Sequence, residues 1–101
     1  MALPKCRCVY GIVNEKNGKM YIGSTDNLRK RSYEHKSKLK NGYHRNAFLQ
    51  EDYDKYGKEN FEFQVLEKVD KNKKLSKVEH QYVEGEKANR DKLYNIWGVL
   101  G

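Results

Sequence analysis

The chain contains few hydrophobic residues and no long apolar run. Hydrophobic side chains make up 37% of its 101 residues, below the roughly 45–50% that is usual for globular domains. No stretch approaches the roughly 18 consecutive apolar residues of a membrane-spanning helix, and the N-terminus has no apolar region typical of a signal peptide. We therefore expect a single intracellular domain over residues 1–101, with a modest core and no membrane partner.

Cysteine is also scarce. Cys6 and Cys8 are the two cysteines of the chain, and they lie two residues apart on one extended segment, where strain disfavours a disulfide between them. Two ligands cannot complete a zinc site, and the histidines at positions 35, 44 and 80 do not lie near the cysteines at zinc-finger spacing. The sequence therefore indicates two reduced thiols.

Positive charge and tyrosine are abundant by contrast. Lys and Arg number 21 against 14 Asp and Glu, which gives a formal charge of +7, and there are eight tyrosines. Such a charge favours a polyanionic partner, and nucleic acid is favoured over a membrane because no segment combines a lysine-rich face with a broad apolar face. A basic surface without a specific partner is the alternative interpretation.

A β-hairpin that carries two tyrosines is predicted near the N-terminus. Residues 8–13 and the run from Met20 are apolar and aromatic, and Asn17-Gly18 between them favours a tight turn. Tyr10 and Tyr21 then lie on paired strands, and their hydroxyls need polar partners if the rings are covered. The two phenols are candidates both for the core and for a reaction site.

Two helices are predicted next. The first runs from Asn27 to Lys40, with Thr25 or Asp26 as its cap. One stripe of this helix is predicted to face inward, with Arg31 beside it: Leu28, His35 and Leu39. The second helix runs over residues 46–56, and four of its side chains are predicted to face inward: Phe48, Leu49, Tyr53 and Tyr56.

A third strand and a third helix complete the predicted fold. Phe61, Phe63 and Val65 alternate with polar residues, which predicts a half-buried strand. A helix started by Asp70 and established from residue 73 or 74 to about residue 86 has a predicted buried stripe of Leu75, Val78, Tyr82 and Val83. Residues 93–97 are apolar enough to pack along the sheet. The predicted fold class is α+β, with a small three-stranded antiparallel sheet flanked by helices.

The chain resembles the GIY-YIG nuclease domain, in the subgroup that forms the catalytic module of homing endonucleases. The family's two name-giving motifs appear as Cys8-Val9-Tyr10 and Tyr21-Ile22-Gly23, at the usual separation. An arginine, two histidines, a glutamate and an asparagine follow in the family's order, namely Arg31, His35, His44, Glu79 and Asn95. Cys8 and Val9 replace the glycine and isoleucine of the first motif, and a small cysteine is tolerated in a strand. The resemblance covers nearly the whole chain and implies the GIY-YIG nuclease fold.

The resemblance implies a DNA endonuclease that hydrolyses phosphodiester bonds. Tyr10 is the implied general base, and Tyr21 would orient the water or the phosphate. An unperturbed phenol, with a pKa near 10, is only about 0.1% ionised at pH 7, so nearby positive charge must favour the phenolate. His35 and His44 would donate to phosphate or relay a proton.

A phosphate-binding residue and a metal ligand complete the implied catalytic set. Arg31 would hold the scissile phosphate, because its charge persists at any working pH. Glu79 would bind a divalent metal, and one carboxylate is too few for a two-metal clamp. We therefore expect one Mg²⁺ or Mn²⁺ per active site that keeps several waters.

Further polar residues around this site are expected to contact DNA: Arg29, Lys30, Lys36, Arg45 and Asn95. Asn95 alternatively bridges the C-terminal segment. Nothing resembles a recognition helix or a zinc finger, so we expect either an isolated catalytic domain or a small nuclease of limited specificity.

Two other classes of function remain open at this point. One is a catalytically inactive, basic nucleic-acid-binding module of the same fold, and the other is a protein interaction domain whose charge is incidental. Tyr10 and Tyr21 would then be ordinary strand aromatics, and Glu79 would pair with Lys74 or Lys77. The oligomeric state, the number of strands cut and the preferred DNA sequence or structure are also open, as is which of Tyr10 and Tyr21 is the general base.

Overall fold

The computed structural model describes residues 3–85 and 92–95. Within these residues it contains three strands and three α-helices, with a 3₁₀ turn at Lys58–Asn60 before the third strand. The elements are β1 (Cys8–Asn14), β2 (Met20–Thr25), α1 (Leu28–Asn41), α2 (Ala47–Tyr56), β3 (Phe61–Lys68) and α3 (Leu75–Gly85). The predicted order of elements and the α+β class are confirmed.

The sheet has the order β2-β1-β3, and both pairings are antiparallel. Gly18 closes the hairpin with a φ of 76°, in the left-handed region that glycine adopts at no steric cost. Tyr10 lies opposite Gly23, and Ile12 lies opposite Tyr21. Because directly paired residues share a face and side chains alternate along a strand, Tyr10 and Tyr21 point to the same side of the sheet.

Helices cover both faces of the sheet. Cys8, Tyr10, Ile12 and Tyr21 belong to one core cluster, with buried leucines of α1 and α2. The opposite face carries a second cluster, in which Val9 and Ile22 meet α3 through Val78. The protein therefore has two thin cores on either side of one small sheet, and the two tyrosines belong to the α1 side.

The cap of α1 differs from the prediction. Asn27 is the N-cap, and its side chain accepts a hydrogen bond from the backbone N–H of Lys30. Thr25 ends β2, and its hydroxyl accepts from the Asn27 N–H at 3.0 Å. The predicted cap at Thr25 or Asp26 is therefore wrong by one or two residues. The predicted inward stripe is confirmed, since Leu28, His35 and Leu39 are all buried.

The inward face of α2 also differs in part from the prediction. Asn46 caps this helix by accepting from the N–H groups of Phe48 and Leu49. Leu49 is fully buried, but Phe48 is 45% exposed, so its predicted inward position is wrong. Gln50 is buried instead and bonds to the backbone on α1. Tyr53 and Tyr56, the other two predicted inward residues, are half-buried.

An irregularity interrupts β3. Tyr10 pairs with Val65 while Val9 pairs with Glu67, which leaves Leu66 as an extra residue. Phe63 is half-buried, as is Phe61, and both pack against the α1-side cluster as predicted. Val65 is 39% exposed, and its predicted burial is wrong because it lies at the bulge of an edge strand.

Residues 93–95 lie beside β2. The buried stripe of α3 is confirmed, with Val78 buried and three half-buried partners in the α3-side cluster: Leu75, Tyr82 and Val83. Leu93 forms a parallel bridge with Met20, so the predicted packing along the sheet is confirmed for residues 93–95. Residues 96–97 and the predicted helix end at residue 86 lie outside the described residues. In the described part of the chain, no helix has both the length and the apolar character needed to cross a membrane.

Candidate active site

Tyr10 occupies the centre of the α1-side face. It lies on the central strand and is 2% exposed. Its ring extends across the ladder over Gly23, where an added Cβ would lie 2.5 Å from the Tyr10 hydroxyl oxygen. Only a residue without a side chain leaves room for this phenol. Gly23 in the second motif therefore positions the tyrosine of the first motif.

Cys8, the first residue of that motif, has a structural position. Its side chain is fully buried in the α1-side cluster. The pKa of this thiol is raised to about 12, chiefly by burial and then by the hydrogen bond with Cys6 and the charge of Cys6. Both cysteines are free, as predicted. Cysteine in place of glycine thus fills the core beside Tyr10, on the same face of the sheet.

A chain of hydrogen bonds leads from α2 to Tyr10. The Tyr10 hydroxyl lies 2.6 Å from His35 Nε2, and His35 Nδ1 lies 2.8 Å from His44 Nε2. His44 Nδ1 accepts from the backbone N–H of Asn46 at 3.1 Å. Both imidazoles are buried, and each of their four ring nitrogens has a hydrogen-bond partner within the chain.

The backbone sets the direction of this chain. Because His44 Nδ1 accepts from an N–H, the proton of a neutral His44 lies on Nε2 and is donated to His35 Nδ1. The proton of His35 then lies on Nε2 and is donated to the oxygen of Tyr10. Every link therefore donates toward Tyr10, starting from the Asn46 amide.

Both histidines are neutral near pH 7. The pKa of His35 is lowered to about 3, chiefly by burial and then by the proximity of His44 and the charge of Arg31. Burial likewise lowers the pKa of His44 to about 4, with Lys38 as the next cause. Neither ring has a free nitrogen for a phosphate in this arrangement. The geometry instead gives the two rings the task of donating to Tyr10.

The environment of Tyr10 opposes ionisation overall. Burial raises the pKa of its phenol, the nearby Tyr21 and Glu79 raise it further, and Arg31 lowers it. Tyr10 therefore carries its proton at pH 7. The hydrogen bond from His35 and the charge of Arg31 are the interactions that favour its phenolate.

Tyr21 packs against both histidines. It is 5% exposed, and its ring meets His35 and His44 edge-on at centroid distances of 5.5 and 5.8 Å. Burial raises the pKa of Tyr21, and Glu79 raises it further, whereas Arg45 and Arg31 lower it. Tyr10, Tyr21, His35 and His44 thus form one group, which we call the tyrosine–histidine cluster.

Arg31 lies at the exposed edge of this cluster. Its Nε is 3.5 Å from Glu34 Oε1, and the two side chains are 46% and 48% exposed. An ion pair so exposed contributes about 0–1 kcal/mol, which leaves the guanidinium available to another anion. The charge of Arg31 lowers the pKa of Tyr10, Tyr21 and His35, so it lies within electrostatic reach of the whole cluster.

Glu79 approaches from the helix on the other side of the sheet. Its Oε1 accepts a hydrogen bond from the Ser24 hydroxyl at 2.7 Å. Ser24 follows Gly23 on the edge strand β2, and the Glu79 charge raises the pKa of both cluster tyrosines. No ion pair joins Glu79 to Lys74 or Lys77, all three of which lie in the described part of the chain. The carboxylate therefore bonds to β2, next to Gly23.

Glu79 is the candidate metal ligand of this site. Among residues 3–85 and 92–95, no three His, Cys, Asp or Glu side chains come together to hold an ion. A carboxylate with one oxygen anchored by a serine hydroxyl suits a hard cation that keeps most of its waters, as Mg²⁺ does. The donor set fits one such ion and does not fit a cage made of protein ligands alone.

The residues predicted to contact DNA have different surroundings. Lys30, Lys36 and Arg45 are exposed. Arg29 Nε donates to the carbonyl of Leu3 at 2.7 Å and so holds the N-terminal segment. The DNA contacts of these four basic residues stay predictions.

Asn95 is bound to the backbone of β2. Its Oδ1 accepts from the Ile22 N–H and its Nδ2 donates to the Ile22 carbonyl, both at 2.7 Å. This is the bridging role that the sequence left as an alternative. It pairs the outer edge of β2 next to Gly23, and a DNA contact by the same amide stays a prediction.

Sequence reasoning did not identify two residues of the site. Asn46 caps α2, directs the His44 tautomer through its N–H, and donates from its side chain to the Tyr94 carbonyl at 3.0 Å. The sequence offered one sign of this role, since Asn46 stands at a helix start, where asparagine is a preferred cap, and only two residues after His44. Ser24 alternates to the α3 face next to Gly23, and only the position of α3 shows its link to Glu79.

Comparison with known proteins identifies the family. The sequence matches the family model described as "GIY-YIG catalytic domain" over residues 6–95. It is 37% identical over 89 residues to segB of Enterobacteria phage T4, a protein named as an endonuclease; the match covers 86% of this chain and 36% of that protein. The chain thus spans about a third of the length of this relative.

Solved structures of similar fold agree with this family match. The catalytic domain of the homing endonuclease I-TevI superposes with a TM-score of 0.79 at 29% identity, covering 90% of this chain and 98% of that domain. A glutamate-to-alanine mutant of the same catalytic domain, described there as that of an intron endonuclease, gives a TM-score of 0.78 at 28% identity, over 93% and 96% of the two chains. From this fold and this family match, the chain belongs to the GIY-YIG family and is a GIY-YIG endonuclease domain.

Proposed function

We propose that this domain hydrolyses DNA phosphodiester bonds, with a water activated by Tyr10 and a single divalent metal held by Glu79. The observation that carries the proposal is the directed hydrogen-bond chain that ends on the Tyr10 oxygen, with Arg31 and Glu79 both in electrostatic reach. The relatives support it, since segB and I-TevI are both named as endonucleases. An ordinary core tyrosine needs no such chain.

Tyr10 acts as the general base in its phenolate form. The hydrogen bond from His35 Nε2 stabilises the negative charge on the phenolate oxygen. His35 does not take the phenolic proton, because its Nε2 already carries one and burial keeps its pKa near 3. The phenolate takes a proton from the attacking water, and Tyr21 orients that water or the phosphate. The active fraction of enzyme therefore rises with pH.

Arg31 holds the scissile phosphate. Its planar guanidinium offers paired donors to two phosphate oxygens, and its charge offsets the negative charge that grows there in the transition state. Glu34, its present partner, is half exposed and releases it at little cost. Lys30, Lys36 and Arg45, with Arg29 and Asn95, are proposed to contact the neighbouring phosphates.

Glu79 and Ser24 form the metal-holding side of the site. The Ser24 hydroxyl orients the Glu79 carboxylate. A bound Mg²⁺ or Mn²⁺ would supply positive charge to the phosphoryl and leaving oxygens. Glu79 lies on α3, whereas Tyr10 and Arg31 lie on β1 and α1. Cleavage therefore requires that helices pack on both faces of the sheet.

Plasmid nicking tests the proposal. Wild type should convert supercoiled DNA to nicked or linear DNA with Mg²⁺ or Mn²⁺, and Glu79→Gln, Arg31→Ala and Tyr10→Phe should each cut at least about a hundred-fold more slowly. Glu84→Gln, on the exposed side of the same helix, is the control and should cut normally. If wild type leaves DNA intact at high concentration, or if the three variants cut as fast as wild type, the proposed function is wrong. DNA retention without cutting would instead identify an inactive nucleic-acid-binding module.

A further inference from the structure

We propose that an aromatic pocket beside the tyrosine–histidine cluster binds an unstacked nucleobase of a DNA strand. This proposal rests on the proposed function, which brings a DNA strand to the cluster. The pocket has a volume of about 570 Å³, within the range of roughly 300–1,000 Å³ that is usual for small-molecule sites. Its apolar lining consists of Ile12, Leu39, Tyr53, Phe61 and Phe63.

The pocket borders the tyrosine–histidine cluster. Phe63 lines the pocket and also contacts the cluster. The centre of its ring lies 6.2 Å from that of Tyr10 and 6.1 Å from that of His35. Ile12 and Phe63 are paired on adjacent strands, on the same face as Tyr10. A nucleotide in this pocket is thus next to the phosphate that Tyr10 and Arg31 would hold.

Aromatic rings are half open to solvent inside the pocket. Phe61 and Phe63 are both half-buried, and Phe61 contacts Tyr53 at a centroid distance of 5.5 Å. Such rings offer flat apolar surface, on which any base stacks through its own π-face. In a duplex these base faces are already covered by their neighbours, so the pocket fits a base that has left the stack.

The rim of the pocket is basic. Lys36, Lys40 and Lys58 line it together with one acid, Glu59. Lys36 Nζ lies 5.6 Å from the centre of the Phe63 ring, which shows that this cation already reaches over the stacking surface. A nucleotide provides both a ring for the floor and a phosphate for the rim, whereas an apolar peptide side chain would leave the lysines without a partner. This charge pattern selects a nucleic-acid strand as the occupant.

The test compares strands with and without bases. The probes are a short fluorescent single-stranded thymidine oligonucleotide and a fully abasic oligonucleotide with the same phosphates, measured by anisotropy in EDTA so that no strand is cut. Wild type should bind the thymidine strand on the order of five-fold or more tighter than the abasic strand, because stacking adds to phosphate binding.

Variants locate the effect in the pocket. Phe61→Leu keeps an apolar side chain against the core, leaves the ring contact between Phe63 and Tyr10 in place, and should remove most of the preference for bases. Tyr33→Leu removes an aromatic ring that is 58% exposed on α1 and should keep the preference. Lys58→Ala should weaken binding of both strands by similar factors, since it would contact phosphate.

The outcomes separate this proposal from the proposed function. Equal affinity for the two strands, no binding of either strand, or an unchanged preference in a folded Phe61→Leu variant would overturn the pocket even if wild type nicks plasmid DNA. A base preference that depends on Phe61, in a protein that cuts no DNA, would support the pocket and refute only the nuclease activity. If Phe61→Leu does not fold, the wild-type comparison of the two strands decides by itself.

Discussion

Replacing His35 with phenylalanine is the sharpest way to test how Tyr10 is activated. Phenylalanine preserves a ring between Tyr10, Tyr21 and Phe63, which contact the His35 ring at centroid distances of 5.6, 5.5 and 6.1 Å. It removes the 2.6 Å hydrogen bond to Tyr10 and the 2.8 Å hydrogen bond to His44. The variant therefore separates the hydrogen bonds from the packing.

Two magnitudes follow from these contacts. A hydrogen bond to a charged group is worth about 1.5–3 kcal/mol, so losing the donor to the phenolate should slow cleavage by about 10- to 150-fold. The variant also leaves the Tyr10 oxygen and His44 Nε2 buried without a partner, at about 1–3 kcal/mol of unfolding free energy for each. Stability and rate should both fall.

Single-turnover nicking per folded molecule measures the rate, and urea unfolding measures the stability. His80→Phe makes the same replacement at an exposed position on α3 and should change neither quantity much. Wild-type cleavage should rise about ten-fold per pH unit from pH 6 to 9, because burial raises the Tyr10 pKa and the phenolate fraction grows with pH. A folded His35→Phe variant that cuts within two-fold of wild type would refute the reasoning.

Three further predictions concern the framework of the site. Gly23→Ala places a methyl group against the Tyr10 hydroxyl, so nicking should fall by about a hundred-fold; a normal rate would show that Tyr10 moves freely. Asn95→Ala removes two hydrogen bonds to the edge of β2 and should lower the unfolding free energy by about 1–3 kcal/mol, seen as a lower urea midpoint; an unchanged midpoint would contradict it. Stability should rise with pH up to about 6.5 and then level off, from about pH 3 for His35 and about pH 4 for His44, by up to about 1.4 kcal/mol per pH unit for each histidine, because over these ranges the unfolded chain binds protons that the folded chain does not. Urea unfolding across this pH range measures the slope, and a flat profile would show that the histidines are not buried in neutral form.

Features with a local cause were predictable from the sequence. The Asn17-Gly18 turn, the apolar run of β1 and the 3.6-residue stripe of α1 depend on neighbours within a few positions. The cap of α1 was misplaced by one or two residues, and the errors in burial lie where distant parts of the chain decide which side chains are covered. Val65 is exposed because β3 is an edge strand that bulges at Leu66, and neither property is visible in the alternation of residues 61–65.

Some features of the candidate site were likewise predictable from the sequence, and others were not. The set of side chains was available from the order and spacing of the motifs, and the family match over residues 6–95 confirms the family to which they point. The task of the two histidines was not available, because a histidine has two ring nitrogens and either can carry the proton. The Asn46 amide settles this for His44, and His44 settles it for His35.

The sequence by itself therefore determined the order of elements, the basic character and the family, since these follow from local periodicity, composition and spacing. Only the tertiary structure decided which way the hydrogen bonds run to Tyr10, why Gly23 must lie beneath its ring, and how Glu79 on the opposite face reaches Ser24. The physical reason is that hydrogen-bond direction, steric room and burial are set by atoms far apart in sequence. The two tyrosines of the hairpin form the candidate site only together with the histidines at positions 35 and 44 on one side of the sheet and Glu79 on the other.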